Sequence, residues 1–178
     1  FLHKTVHAGE AYGPESIFQS ITALYADRIG HGYHLFSPWL IEEQDVDKRR
    51  YVEELAQYIA DRRITIEVCI TSNLQTNPNL KLLEHHAFRD ILKGRLCATF
   101  CTDNRTVSRT TVTKEVSLAV NTFHMSPREL RHYLIYGFKR SFFPGSYLEK
   151  RQYSRSVIDY YDSVIARFQA AQDKAEQS

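Results

Sequence analysis

The chain has 178 residues, of which 43% are hydrophobic and 25% charged, and its formal charge is +2. These are ordinary globular proportions that exclude intrinsic disorder, and no apolar run approaches the roughly 20 residues of a spanning helix, so no membrane partner is expected. The basic residues are scattered (Arg49, Arg50, Arg62, Arg63, Lys139, Arg140); that leaves no nucleic-acid footprint and suits a small polar substrate.

The length allows one domain with a real core, and nothing marks a linker. A single domain over 1–178 is expected, with βα units over 1–109 and helices over 110–178. Cys69, Cys97 and Cys101 are an odd set without CxxC spacing, which reads as reduced, buried thiols of a cytoplasmic protein. The chain opens at Phe1 without a starting Met and without a signal peptide, and it looks like a piece of something longer.

Residues 4–10 read as a strand that stops at His7, with Glu10 following across an Ala-Gly pair. Gly13-Pro14-Glu15 then sets Pro at a helix first turn with an acid beside it, and Ile17, Ile21 and Leu24 fall on one face. Residues 28–32 form a short strand. The connection over 33–48 carries the acids Glu42, Glu43, Asp45 and Asp47, read as the solvated start of the next helix. Val52, Leu55, Ala56 and Ile59 recur at helical spacing over 49–63, and residues 64–70 switch to strand character. A polar loop is expected over 71–78 and a helix over 82–93 closed by Gly94; residues 95–102 complete a fourth strand.

After Asp103 the pattern is helical. Thr113 with Glu115 marks one start, and Ser126-Pro127-Arg128-Glu129 marks the next with a capping-box pattern. A last helix is expected over 147–171, with a frayed tail beyond it. Strands alternating with helices, and apolar on both faces, predict an α/β fold with a parallel sheet and right-handed crossovers.

In such folds sites gather at the carboxyl ends of strands. His7, His31 and Asp103 all stand there, and imidazole and carboxylate suit a borderline divalent metal such as zinc. A lone histidine at a strand end is more often structural; three ligand-type residues at three strand ends point to one shared site. His3 and His7 do not make a ligand pair, because four residues along a strand separate them by about 13 Å. His85, His86, His124 and His132 fall on helical stretches and read as structural or exposed. Ser72 and Asn73 read either as a loop-stabilising pair or as residues holding the site.

Four motifs in order, His7-Ala8-Gly9-Glu10, Arg28-Ile29-Gly30-His31-Gly32-Tyr33-His34, residues 67–76 (Glu-Val-Cys-Ile-Thr-Ser-Asn-Leu-Gln-Thr) and Cys101-Thr102-Asp103-Asn104, resemble those of the adenosine deaminase family. The resemblance implies a (β/α)8 TIM-type barrel and a zinc hydrolase that converts adenosine to inosine and ammonia. By it, His7 and Asp103 would be metal ligands for Zn2+. Glu10 would donate a proton to purine N1, and His31 would act on the attacking water as base or electrostatic stabiliser. Gly9, Asn104 and His34 would line the substrate site, with Asn104 facing purine N7 and with Gly9 and Gly30 admitting a close backbone approach.

The resemblance also implies missing parts. The family's first strand supplies a His-x-His ligand pair, and no His-x-His occurs here. The four strands would be the fifth to eighth of the barrel, with carboxyl-terminal helices after them, and the amino-terminal half of the barrel would be a required partner over an open sheet with an apolar inner face. Other substrates stay open, among them adenine, an N6-substituted purine nucleotide and an aminofutalosine-type nucleoside. So does a non-catalytic protein that keeps the fold, although survival of His7, Glu10, His31 and Asp103 together argues against drift, which would remove costly polar groups.

Overall fold

A computed structural model describes residues 2–176. Phe1, where the sequence opens, and residues 177–178 lie outside the described residues. Four short strands, β1 (Thr5–Ala8), β2 (Arg28–His31), β3 (Thr65–Val68) and β4 (Ala98–Phe100), form one parallel sheet in sequence order. Between them come α1 (Pro14–Thr22), α2 (Lys48–Arg62), α3 (Ile70–Thr76) and α4 (Phe88–Lys93). After β4 come α5 (Arg105–Ser108), α6 (Val112–Phe123), α7 (Pro127–Lys139) and α8 (Tyr147–Glu176). The βα alternation expected from the sequence is present.

The two faces of the sheet differ, against the expectation of strands apolar on both. Register places His7 beside Gly30, Gly30 beside Glu67, and Glu67 beside Thr99, so Thr5, His7, Arg28, Thr65, Glu67 and Thr99 share one face. The other face carries Ala8, Ile29, Ile66, Val68, Ala98 and Phe100, which join Ile17, Leu55, Ile59, Phe88 and Ile91 in the core. The inner face is therefore polar, not apolar as expected. Its centre is an ion pair, Arg28 Nε to Glu67 Oε1 at 2.5 Å, and Thr5 donates its hydroxyl to Glu67 Oε2 at 2.9 Å. Burying an arginine is tolerable only with such a partner.

The helices are set by their ends. Pro14 opens α1, which buries Ile17 and Ile21, but Leu24 lies past its end and is exposed. Asp47 caps α2 by accepting from the backbone N–H groups of Arg49 and Arg50, both at 3.1 Å, and Glu42, Glu43 and Asp45 are exposed, as expected. The expected helix over 82–93 is broken: Leu83–His85 is a 3-10 turn and α4 begins only at Phe88. Gly94 closes α4 as expected, its N–H donating to the Asp90 carbonyl at 2.9 Å, and the left-handed residue is the next one, Arg95, at φ +52°. Thr111 caps α6, two residues before the expected start. The capping box at α7 is formed, with the Ser126 N–H donating to Glu129 at 2.8 Å and the Glu129 N–H returning to the Ser126 hydroxyl at 3.3 Å.

The clearest departure is α3. The polar stretch expected as a loop over 71–78 is a two-turn helix with Ile70, Thr71, Ser72 and Asn73 all buried. Its first turn is anchored by Glu115 of α6, itself fully buried, which accepts from the Thr71 N–H at 3.0 Å, from the Thr71 hydroxyl, and from the Thr110 hydroxyl at 2.6 Å.

The residues up to Leu134 group as one compact unit and those from Ile135 as another. Within the first, Tyr133 packs edge-on to Phe88 at 5.4 Å. Within the second, Phe143 stacks on Tyr153 at 5.2 Å, and Ser146 and Glu149 form a further capping box at the start of α8, which runs beyond residue 171 to Glu176. Among the described residues no helix is long and apolar enough to cross a membrane. The three cysteines are free; Cys69 and Cys97 are buried as expected, while Cys101 is only half-buried. Burial raises the Cys69 thiol and pushes Cys101 up to about 11, which leaves both protonated and unreactive.

Candidate active site

His7 ends the polar face of β1. By strand alternation His31 belongs to the opposite face, but its φ of +66° breaks the alternation and brings its ring to 5.2 Å from that of His7. Asp103, just beyond β4, also has a positive φ, +54°. Left-handed backbone at non-glycine residues costs energy, and here it occurs at two of the three residues the sequence singles out. The result is convergence: one ligand atom from each of His7, His31 and Asp103 lies within 4.8 Å of the others.

Glu10 joins them, with its carboxylate Oε2 at 3.4 Å from His31 Nε2. Burial lowers the His31 imidazole below its ordinary value, while the Glu10 and Asp103 carboxylates pull it upward. Ser72 donates its hydroxyl to Asp103 Oδ2 at 2.7 Å, and Asn73 lies 3.2 Å from His31 Nδ1. α3 thus holds two of the site's side chains, Asp103 and His31, in place.

The remaining expected residues stand nearby with other contacts. Gly9 has φ +65°, and a Cβ there would come within 2.5 Å of Ile17 Cδ1. The positive φ and the crowding by Ile17 both require glycine there. Its carbonyl accepts from the His34 N–H at 2.7 Å, which ties the loop after β1 to the loop after β2. The His34 ring contacts the Ser37 hydroxyl at 3.0 Å, and burial lowers its pKa. Asn104 caps α5 through Oδ1, which accepts from the Val107 N–H at 3.1 Å. Gly30 lies against His7, where a Cβ would make an ordinary contact at 3.4 Å.

A family model described as adenosine deaminase matches residues 1–160. The chain belongs to the adenosine deaminase family. Adenosine deaminase 1 of Streptomyces coelicolor is 34% identical over 142 residues, covering 80% of this chain and 35% of that protein. The crystal structure of the Arabidopsis N6-mAMP deaminase superposes with a TM-score of 0.65 at 27% identity, over 89% of this chain and 41% of that one. An amidohydrolase from Burkhoderia ambifaria, solved with bound Zn, superposes with a TM-score of 0.76 at 20% identity, over 95% of this chain and 43% of that one. The chain therefore spans little more than a third of the curated deaminase it matches, and its four βα units are a partial (β/α)8 barrel.

Within this deaminase fold two residues stand out beyond the expected set. In the sequence Asn73 is one member of an ambiguous polar pair, and His86 falls among the histidines read as structural or exposed. His86 is buried; His85, His124 and His132 are not. No spacing in the sequence marks either residue, because their partners lie 42 and 13 positions away.

Proposed function

We propose that this chain supplies the carboxyl-terminal half of a zinc-dependent deaminase that converts adenosine to inosine and ammonia. The observation that carries the reading is the convergence of His7, His31 and Asp103 at three strand ends with Glu10 beside them. The donor set fits zinc: imidazole and carboxylate are ligand types of catalytic zinc sites, and the Ser72 hydroxyl steadies the carboxylate from behind. His7 and Asp103 would hold the ion, with further ligands from the amino-terminal half of the barrel as partner. Zinc in such a site supplies Lewis acidity that makes water nucleophilic near neutral pH.

Water adds at C6 of the purine, the C6–N6 bond breaks, and the amino group leaves as ammonia. Glu10 would pass its proton to purine N1, offsetting the electron density that addition pushes onto the ring. His31 would lie beside the adding oxygen. Asn104, whose Oδ1 serves as the α5 cap, keeps its amide N–H groups to donate to purine N7, and His34 and Gly9 would form the adjoining wall. The polar inner face of the sheet, with its Arg28–Glu67 pair, suits enclosure within a closed barrel. The free thiols support a reducing, cytoplasmic setting.

The test is deamination of adenosine by the complete protein that carries this chain, with ammonia and inosine measured as products. Glu10→Gln is expected to lower kcat at least about 100-fold without loss of zinc. An unchanged kcat refutes the role of Glu10. Turnover of N6-methyl-AMP in place of adenosine moves the reading to another substrate of the same chemistry.

A further inference from the structure

Asn73 and His86 touch neither the residues expected to hold metal nor those expected to face the purine, yet both are almost completely buried, at 1% exposure. Phe88 is the first residue of α4, so its backbone N–H has no partner within the helix. It donates to His86 Nδ1 at 3.0 Å. A backbone N–H is a donor without ambiguity, so His86 Nδ1 is an acceptor. Burial, reinforced by neighbouring His31, pushes the His86 imidazole down to about 3, so the ring is neutral and carries its single proton on Nε2.

That proton sets the direction of the next two hydrogen bonds. His86 Nε2 lies 3.1 Å from Asn73 Oδ1, which must accept. The Asn73 amide consequently turns its Nδ2 toward His31 Nδ1, 3.2 Å away, and donates. His31 Nδ1 is then occupied as an acceptor, and Nε2, 3.4 Å from the Glu10 carboxylate, holds the proton.

We propose that Asn73 and His86 are positioning residues, which through hydrogen bonds anchored on the Phe88 amide hold His31 with its proton on Nε2, turned toward Glu10 and the reacting centre. The consequence for the proposed reaction, on which this inference rests for its catalytic meaning, is a choice between two roles. A histidine whose Nδ1 is occupied and whose Nε2 is protonated is a hydrogen-bond donor at the reacting centre, not a base. Nor is it free to be a third metal ligand. The ligands beyond His7 and Asp103 then come from elsewhere.

The test is histidine-ring NMR of the complete protein that carries this chain, labelled with 15N. His31 and His86 are both expected to show an unprotonated Nδ1 and a protonated Nε2, and to keep that pattern on addition of zinc. A protonated Nδ1 at His31, or coordination of its Nε2 by zinc, overturns the inference. Asn73→Asp keeps the shape but replaces the donor with an acceptor, so the His31 proton is expected to move to Nδ1. A His31 whose Nδ1 stays unprotonated in this variant overturns the relay. In the complete protein the same variant is expected to lower kcat on adenosine by about 100-fold while KM changes less than about threefold, and His86→Gln, whose amide still donates to Asn73, is expected to retain most activity. These ring spectra do not depend on turnover. A protein that fails to deaminate adenosine but shows the expected tautomers overturns the deaminase reading alone.

Discussion

Replacing Glu115 with alanine removes the acceptor on which the first turn of α3 rests. Three donors converge on its carboxylate, the Thr71 N–H and the Thr71 and Thr110 hydroxyls. The two hydroxyls lie 3.4 Å apart and can satisfy each other once the carboxylate is gone, but the Thr71 N–H cannot. A stranded buried donor costs about 1–3 kcal/mol, and the lost methylene group adds roughly 0.8 kcal/mol, so Glu115→Ala is expected to lower stability by about 2–4 kcal/mol. Glu115→Gln behaves differently. Its amide oxygen can take the Thr71 N–H while its NH2 donates to the hydroxyls, which accept as readily as they donate; the expected loss is about 1 kcal/mol or less. Urea unfolding of the 178-residue chain monitored by far-UV circular dichroism measures both, with an unchanged m-value as the sign that only stability has moved. An alanine variant within about 1 kcal/mol of the wild type, or a glutamine variant as damaged as alanine, refutes the account of how α3 is held.

Burial is the leading cause that lowers both His31 and His86 below the ordinary histidine value, so below about pH 6.5 the unfolded chain binds protons that the folded chain does not. Stability therefore rises with pH across this window and falls as pH drops from about 6.5 toward 3, by at most about 1.4 kcal/mol per unit for each ring. Urea midpoints that stay flat or rise on acidification refute it, and His86→Gln should make the dependence shallower. Ser72→Ala removes the donor to Asp103 Oδ2 while leaving a residue helices favour. Zinc affinity is expected to fall about 10–100-fold, read by competition with a chromophoric chelator, and an unchanged affinity refutes the role of Ser72 in steadying Asp103.

The strand ends are legible in the sequence because parallel sheets bring the residues that leave them to one place, whatever the sequence distance between them. That rule and their ligand chemistry single out His7, His31 and Asp103, while the left-handed turn that swings His31 onto the His7 face leaves no mark in the sequence. The helix α3 is not legible. Thr71, Ser72, Asn73, Gln75 and Thr76 have the composition of a loop, and what makes them helical is tertiary: Glu115, 44 residues from Thr71, accepts the first-turn donors. The polar sheet face is hidden for a related reason. Each strand is only three or four residues long, and alternation over so few positions is masked by the apolar residues flanking it. His86 escapes notice because the pattern around it suggests a continuous helix; the break at residues 86–87 is what turns its ring inward onto Asn73.

The sheet order has a kinetic corollary. Every strand of this sheet pairs with the strand that comes just before or after it in the chain, so no pairing within the sheet waits for a distant segment to arrive. Each loop to be closed is the length of one strand–helix unit, and the entropy of closing it grows only slowly with that length. The array can thus grow by accretion, from β1 toward β4, in the direction of synthesis. His7 is laid down first and Asp103 last, so the convergence of the two marks the moment at which the fourth strand docks.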